Sequence, residues 1–239
     1  MYGWRGKIGV MMPANNTVLE PEFAEIAPDG VTVHATRMIT SRSGHASVEG
    51  LQHVLSNVAR ASEELSVFGA NVYLYACLST SFVNKRWETE ILKYVHANVS
   101  SSPVITALGA TFEALEAYGA KKIALLCVYG DELMQRGLDI FEDSGYEVAL
   151  CHSLKKSSFR EIAIVDPFSL YSAIRCFDLQ NVDLICILGT DIATFPVIRD
   201  IERDFRIPVI SSNLALFWSA MRAMELSYKG CFESSLFSR

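Results

Sequence analysis

The chain has 239 residues, half of them apolar and a fifth charged, which is enough for one large or two small domains with a buried core. Its 21 basic and 27 acidic side chains give a formal charge of −6 at pH 7, which excludes an electrostatic attraction to nucleic acid or to an anionic membrane. No apolar run approaches the length of a bilayer span and no secretory segment is recognisable, so the predicted location is the cytoplasm.

Short, almost continuously apolar runs recur along the chain, which is typical of parallel strands that are covered on both faces. Residues 31–39 alternate between apolar and polar side chains and predict a strand with one wetter face. The continuous runs occupy, in chain order, residues 7–12, 72–76, 104–105, 122–127, 183–188 and 209–210.

Amphipathic stretches lie between these runs and predict helices. They comprise a helix capped by Ser47, one over residues 131–144 that Gly145 ends, one over residues 166–177, and an apolar one over residues 214–228. The polar end, residues 231–239, is predicted to fray. Regular alternation of strands and helices predicts an α/β fold with parallel sheets.

Three segments of the first half recur, in the same order, in the second half. Residues 5–10 resemble 121–125, 71–74 resemble 181–184, and 103–106 resemble 208–211, at separations of 105 to 115 residues. The repeat predicts two pseudo-symmetric α/β domains: residues 1–115, completed by 208–239, and residues 116–207. Because ligands bind at the carboxyl ends of parallel strands, we expect the site in the cleft between the two domains.

Cys77 is the residue with the most reactive side chain at a predicted strand end. It begins a loop of serines and threonines, where helix amides would lower the pKa of a thiol. The alternative is a cysteine that only packs in the core, an interpretation that fits Cys127 and Cys186 inside their strands. The six cysteines are scattered singly, and like the five histidines they lack metal-ligand spacing, so no disulfide and no metal site is predicted.

Other strand-end residues have two interpretations each. Asn15 either holds a carboxylate or caps a helix, and Tyr129 either presents its phenol to a ligand or packs at the edge of the core. Asp191 is either an acid–base group or a helix cap. Hydroxyl and amide side chains in these loops suit a small polar ligand, whereas no glycine-rich loop for a nucleotide is present.

Several blocks of the sequence resemble the maleate cis–trans isomerases, members of the Asp/Glu racemase superfamily that also contains arylmalonate decarboxylases. Residues 16–22, with the sequence NTVLEPE, match an asparagine–threonine–x–x–glutamate–proline–glutamate run typical of the isomerases. Residues 75–81, with the sequence YACLSTS, resemble their first cysteine motif. Further similarity lies in residues 119–133, 194–198 and 208–213.

The resemblance implies an enzyme without a cofactor, a possible homo-oligomer, whose cysteine thiolate acts on a small carboxylate or dicarboxylate. In the isomerases the thiolate adds to the alkene, the former double bond rotates, and elimination gives fumarate. By this resemblance Cys77 is the catalytic residue, and the substrate contacts come from Asn15, Ser79, Thr80, Tyr129, Gly189 and Thr190.

One departure from the family pattern leaves the reaction open. The second family cysteine precedes a threonine–asparagine pair, and here Gly189 precedes Thr190 and Asp191. An asparagine expected near residue 159 is also replaced, by Phe159 or Arg160. Three functions therefore remain: a maleate isomerase-like enzyme, a single-thiol decarboxylase or lyase of the arylmalonate decarboxylase type, and an inactive carboxylate-binding protein.

Overall fold

Two four-stranded parallel sheets with their connecting helices make up the chain in the computed structural model, which describes residues 1–39, 48–84, 86–99 and 101–239. The strands are β1 (Gly6–Pro13), β2 (Val31–Met38), β3 (Val72–Tyr75), β4 (Val104–Thr106), β5 (Lys122–Cys127), β6 (Glu147–Ser153), β7 (Leu184–Leu188) and β8 (Val209–Ser211). The helices are α1 (Leu19–Ile26), α2 (Val48–Leu55), α3 (Val58–Ser66), α4 (Leu78–Val83), α5 (Arg86–Asn98), α6 (Ala107–Tyr118), α7 (Asp131–Asp143), α8 (Phe159–Ala163), α9 (Pro167–Ile174), α10 (Phe195–Phe205), α11 (Ser212–Ala223) and a 3₁₀ turn, Ser235–Ser238.

The two sheets have the same topology. Their strand orders are β2-β1-β3-β4 and β6-β5-β7-β8, and every pair of neighbours is parallel. The repeated sequence segments fall at equivalent strands: β1 and β5, β3 and β7, β4 and β8. The predicted α/β class with two similar parallel sheets is therefore confirmed.

Equivalent helices follow the equivalent edge strands and join the two halves. Thr106 caps α6 by accepting a hydrogen bond from the Gly109 amide, and Ser211 caps α11 by accepting one from the Leu214 amide. Helices α6 and α11 then pack against one another. The core between the sheets is therefore continuous, and β3 and β7 are buried along their whole length.

The predicted domain limits need one correction. Strand β8 pairs with β7, so residues 209–211 belong to the second sheet and do not complete the first. Helix α11, which follows, contacts β3, β4 and α6 of the first half as well as β7 and β8. Apart from these three residues, the division into 1–115 with 208–239 and 116–207 stays a prediction.

The chain end is packed, which corrects the prediction that residues 231–239 fray. Leu236 is fully buried, and the ring of Phe237 stacks on Tyr228 with centroids 3.7 Å apart. The Ser235 amide donates to Glu202 Oε2 at 3.1 Å, which fixes the 3₁₀ turn against α10. Apolar residues spaced through a polar segment thus provide enough burial to hold it.

Ser47, the predicted cap of α2, lies outside the described residues. Within the described ranges, no helix is both long enough and apolar enough to cross a membrane.

Candidate active site

A small cavity lies where the carboxyl ends of the central strands of both sheets meet. The first half contributes the ends of β1 and β3, and the second half those of β5 and β7. Its volume is about 30 Å³, room for one or two water molecules, so a larger ligand enters only if lining side chains move apart. The lining residues are Pro13, Asn15, Leu51, Val54, Cys77, Ser79, Tyr129, Phe159, Ile162, Gly189, Thr190 and Asp191.

The strand-end rule brings all but one of the predicted site residues together. Thr80 is the exception, because its hydroxyl donates to the Cys77 carbonyl at 2.7 Å and lies 3.0 Å from the Tyr75 hydroxyl. Thr80 therefore does not line the cavity, and its predicted contact with the substrate stays a prediction. A larger open groove of about 960 Å³ lies beside Trp4 and His34 and contains none of the predicted site residues.

Cys77 is placed at the cavity by the end of β3 and the start of α4. Its side chain is 2% exposed, and its Sγ lies 3.8 Å from Ser79 Oγ. Burial raises the pKa of this thiol, and hydrogen bonds from Ser79 and Thr80 oppose the rise without cancelling it. The expectation of a lowered pKa was wrong, because desolvation outweighs the donors at the start of a short helix. Cys77 is consequently protonated at neutral pH.

Gly189 and Thr190, at the end of β7, also line the cavity. The Gly189 amide donates to Ser212 Oγ at 3.1 Å, and the Thr190 hydroxyl donates to the Ala76 carbonyl at 3.1 Å. The second of these bonds ties the loop directly to the first sheet. Gly189 has φ +143, a conformation that residues with a Cβ rarely adopt.

A side chain at position 189 is expected to cost stability. Its Cβ would lie 3.3 Å from an Ile192 methyl and 3.5 Å from a Val128 methyl, in addition to the backbone strain. Both Gly189→Ala and Gly189→Cys should therefore lower the free energy of unfolding by about 1–3 kcal/mol. Urea unfolding of the two variants tests this. A Gly189→Cys protein as stable as the parent would contradict it.

Asp191 joins the N-terminal loop to the loop after β7. Asn15 Nδ2 donates to its Oδ2 at 2.8 Å and the Thr17 amide to its Oδ1 at 3.2 Å, while Asn16 Nδ2 donates to the Thr190 carbonyl at 2.8 Å. Burial raises the pKa of Asp191 to about 7, against the opposing effects of Asn15, Thr17 and Arg37. Of its two interpretations, the helix cap is excluded, since these donors lie outside α10.

Glu22 performs the capping that the sequence suggested for Asp191. Its carboxylate accepts hydrogen bonds from the Thr194 amide at 2.6 Å and the Phe195 amide at 2.9 Å, at the start of α10. Asn213 Nδ2 donates to its other oxygen at 2.7 Å. Burial raises its pKa to about 7, although all of these donors lower it. Within the NTVLEPE motif, Glu22 thus fixes the loop that carries Gly189, Thr190 and Asp191.

Sequence reasoning missed the apolar wall of the cavity. Leu51 and Val54 of α2 and Phe159 and Ile162 of α8 line it, and each is at most 7% exposed. Their spacing of three residues within a helix indicated a buried face without indicating what covers it. Arg160 is exposed, so the residue that takes the place of the expected asparagine at the cavity is Phe159.

Metal binding finds no support among the side chains that the structure describes. No group of three or more histidine, cysteine, aspartate or glutamate residues in those ranges is arranged to hold an ion. The chemistry available in the cavity is that of one thiol, one phenol, one carboxyl, hydroxyls and an amide.

The order in which the cysteines of the native protein are alkylated should follow the solvent exposure of their side chains. Limiting iodoacetamide is expected to label Cys176 and Cys231 first, because both are exposed, and then Cys77 before Cys127 and Cys186. All three of the latter are buried, but only Cys77 lines the cavity. Peptide mass mapping gives the order. Labelling of Cys186 ahead of Cys77 would show that the cavity does not admit the reagent.

Comparison with known proteins agrees with this architecture. The family described as arylmalonate decarboxylase matches residues 8–237. A maleate isomerase from Geobacillus stearothermophilus is 26% identical over 234 residues, with 92% of each chain covered. An arylmalonate decarboxylase from Bordetella bronchiseptica is 26% identical over 219 residues, covering 90% of this chain and 89% of the relative.

Solved structures give the same result. A mutant of the maleate isomerase Iso from Pseudomonas putida S16, crystallised with maleate, superimposes with a TM-score of 0.89 at 26% identity, covering 98% of this chain and 97% of that one. A liganded arylmalonate decarboxylase mutant, with one glycine changed to cysteine and one cysteine to serine, gives 0.87 at 25% identity, with 97% and 98% covered. The chain therefore belongs to the family of arylmalonate decarboxylases and maleate isomerases.

Proposed function

We propose that this chain is a cofactor-independent enzyme in which Cys77 acts on a small carboxylate, and that its reaction is the decarboxylation of a malonate with an apolar substituent. The observation that carries the proposal is the composition of the cavity. A single protonated thiol faces a space with one polar wall and one apolar wall. The apolar wall suits an aryl or alkyl group, and the hydroxyl and amide side chains suit a carboxylate.

The proposed reaction uses groups that hold their protons at neutral pH. The bond between the α-carbon and the leaving carboxylate breaks, CO₂ departs, and the electron pair delocalises over the retained carboxylate as an enediolate. The Ser79 hydroxyl and the Tyr129 phenol are the donors placed to stabilise its oxygens, since burial raises the pKa of Tyr129 far above its ordinary value. Cys77 then donates its thiol proton to the α-carbon, and the thiolate regains a proton from solvent.

Cis–trans isomerisation of maleate is the second candidate. It is supported by the position of Cys77 at the end of β3, in the block that resembles the first cysteine motif of the isomerases, and by the maleate isomerase relatives. Two features count against it. Addition to an alkene requires the thiolate, whereas burial favours the thiol, and Gly189 supplies no second thiol.

Proton NMR in heavy water separates the candidates. The purified protein is incubated separately with methylphenylmalonate and with maleate. We expect 2-phenylpropanoate carrying one deuterium at the α-carbon, formed as one enantiomer because Cys77 delivers the proton from one face only. Fumarate without decarboxylation would support the isomerase instead. Binding of either compound without conversion would leave only the inactive carboxylate-binding protein.

A further inference from the structure

Asp191 is a buried carboxyl group inside the proposed site that the mechanism above does not use. It is 8% exposed, lines the cavity, and belongs to the half of the chain opposite Cys77. Each of its oxygens accepts one hydrogen bond, from Asn15 Nδ2 and from the Thr17 amide, so each keeps a lone pair free. In the family pattern described above, an asparagine stands at this position.

Among the described residues that line the cavity, no cation compensates the charge of an ionised Asp191 together with that of a ligand carboxylate. In the described part of the chain, the lining of the cavity includes no lysine, arginine or histidine. The charge of Arg37 lowers the pKa of Asp191, but the Arg37 guanidinium bonds to the Asn16 carbonyl and to Glu20. A ligand carboxylate would thus lie beside Asp191 without a counter-charge, and two like charges a few ångströms apart in a poorly solvated space cannot both ionise at low cost.

We propose that Asp191 binds the carboxylate of the ligand as a neutral carboxylic acid, so that an anionic ligand enters together with one proton. The inference rests on the proposed function, because it takes the ligand to be a carboxylate. The Asp191 hydroxyl donates to a carboxylate oxygen of the ligand and keeps its proton throughout, so no covalent bond changes. Asn15 and Thr17 hold the carboxyl group in place while it donates.

The same donor serves the proposed reaction. When CO₂ leaves, negative charge grows on the oxygens of the retained carboxylate, and a neutral acid already bonded to them stabilises it. An asparagine at this position donates only through its amide, which is a weaker acid. Asp191 thereby selects a carboxylate ligand over its neutral isosteres, and it makes the affinity depend on pH.

Other titratable groups around Asp191 do not account for such a dependence. Cys77 and Tyr129 face it in the cavity, and burial raises the pKa of both, so both stay neutral near neutral pH. Glu22, which accepts a hydrogen bond from the Thr194 amide, has a pKa raised to about 7 like Asp191, but it does not line the cavity.

Isothermal titration calorimetry with phenylacetate and its neutral amide, phenylacetamide, tests the proposal on the intact protein. Ordinary carboxylic acids titrate near about pH 4, so phenylacetate stays ionised above pH 6. At about pH 8.5, where Asp191 of the free protein is mostly ionised, phenylacetate should bind with uptake of about one proton, measured in two buffers of different ionisation enthalpy. Since only the protonated fraction binds, its affinity should fall roughly 30-fold between about pH 6 and about pH 8.5. Phenylacetamide should bind equally well at both values.

Three variants identify the group that takes up the proton. Asp191→Asn should bind phenylacetate without proton uptake and without the pH dependence. Glu22→Gln and Asp131→Asn, a matched charge loss at an exposed ion pair with Lys155, should both retain the uptake. The proposal would be overturned if proton uptake persisted in Asp191→Asn, if it disappeared in Glu22→Gln, or if the parent showed none. Failure of phenylacetate to bind to the parent at pH 6 would also overturn it.

The outcomes also keep this inference separate from the proposed function. Proton-linked binding without conversion of methylphenylmalonate would reject only the decarboxylase. Conversion together with pH-independent binding of phenylacetate would reject only the role of Asp191.

Discussion

Cys77→Ser is expected to lower the turnover of the accepted carboxylate by a factor on the order of 10²–10⁴, while the protein stays folded. A serine hydroxyl is a much weaker acid than a thiol, so it does not protonate the α-carbon, and it is a poor nucleophile at neutral pH. The two side chains are similar in size, so the replacement creates little empty space in the core. The measurement is the initial rate, with thermal unfolding as the check on folding.

Cys176→Ser is the matched control, because it removes one thiol from the surface and none from the cavity. Its rate should equal that of the parent. A Cys77→Ser protein that retains the parent rate would reject both the decarboxylase and the isomerase, because each mechanism assigns the reactive atom to this thiol.

The pH dependence of the rate distinguishes the two roles of Cys77. As a proton donor it acts in the thiol form, so activity persists until pH reaches the raised pKa of Cys77 and declines above it. As a nucleophile it acts in the thiolate form, and activity would rise over the same range. Substrate must be saturating, because the protonation of Asp191 also affects binding near neutral pH.

The strand positions and the place of Cys77 could be predicted because buried parallel strands have a local signature. Continuous apolar runs identified β3 and β7, and the strand-end rule then brought Cys77 and Gly189 to one cavity. Strand β6, an edge strand whose side chains are mostly half-exposed, lacks such a run and was not predicted. Burial of both faces gives a strand a continuous apolar run, whereas β2, which is covered on one face, was recognised from its alternation instead.

Contacts between distant segments could not be predicted, for a different reason. The amphipathic pattern of α2 shows which face is buried, but the other apolar helix at the cavity, α8, lies more than 100 residues away in the sequence. Likewise, the donors that surround Glu22 come from α10 and α11. The wrong pKa direction for Cys77 has the same origin, since burial depends on the whole fold and the helix amides only on neighbouring residues.

Glu22→Ala is expected to destabilise the protein by about 3 kcal/mol or more. The change leaves the amides of Thr194 and Phe195 and the side-chain amide of Asn213 without their acceptor, and each buried donor left unpaired costs about 1–3 kcal/mol. Glu20→Ala is the control on the same helix, since Glu20 is half-exposed and forms an ion pair with Arg37 at the surface, and it should cost less than about 1 kcal/mol. Urea unfolding at pH 6 gives both values, and equal losses would contradict the capping role.

Glu22→Gln separates the charge of this group from its hydrogen bonds. The folded-state pKa of Glu22 is raised from 4.5 to about 7, so the folded protein binds the proton more tightly than the unfolded chain. The tighter binding of this proton stabilises the folded protein by up to about 3 kcal/mol. The stabilisation is complete below pH 4.5 and is lost as the pH rises to about 7. Asp191 acts in the same direction, so the difference between parent and variant isolates Glu22.

The glutamine amide fits this pocket, because Asn213 Oδ1 is buried without a partner and can accept from it once the Asn213 amide turns over. Glu22→Gln should therefore match the parent near pH 4.5 and exceed it in stability near pH 8, with a flatter profile between. Urea midpoints across this range give the measurement. If the variant loses stability with pH as steeply as the parent, Glu22 ionises without penalty in the folded protein, and its three donors outweigh its burial.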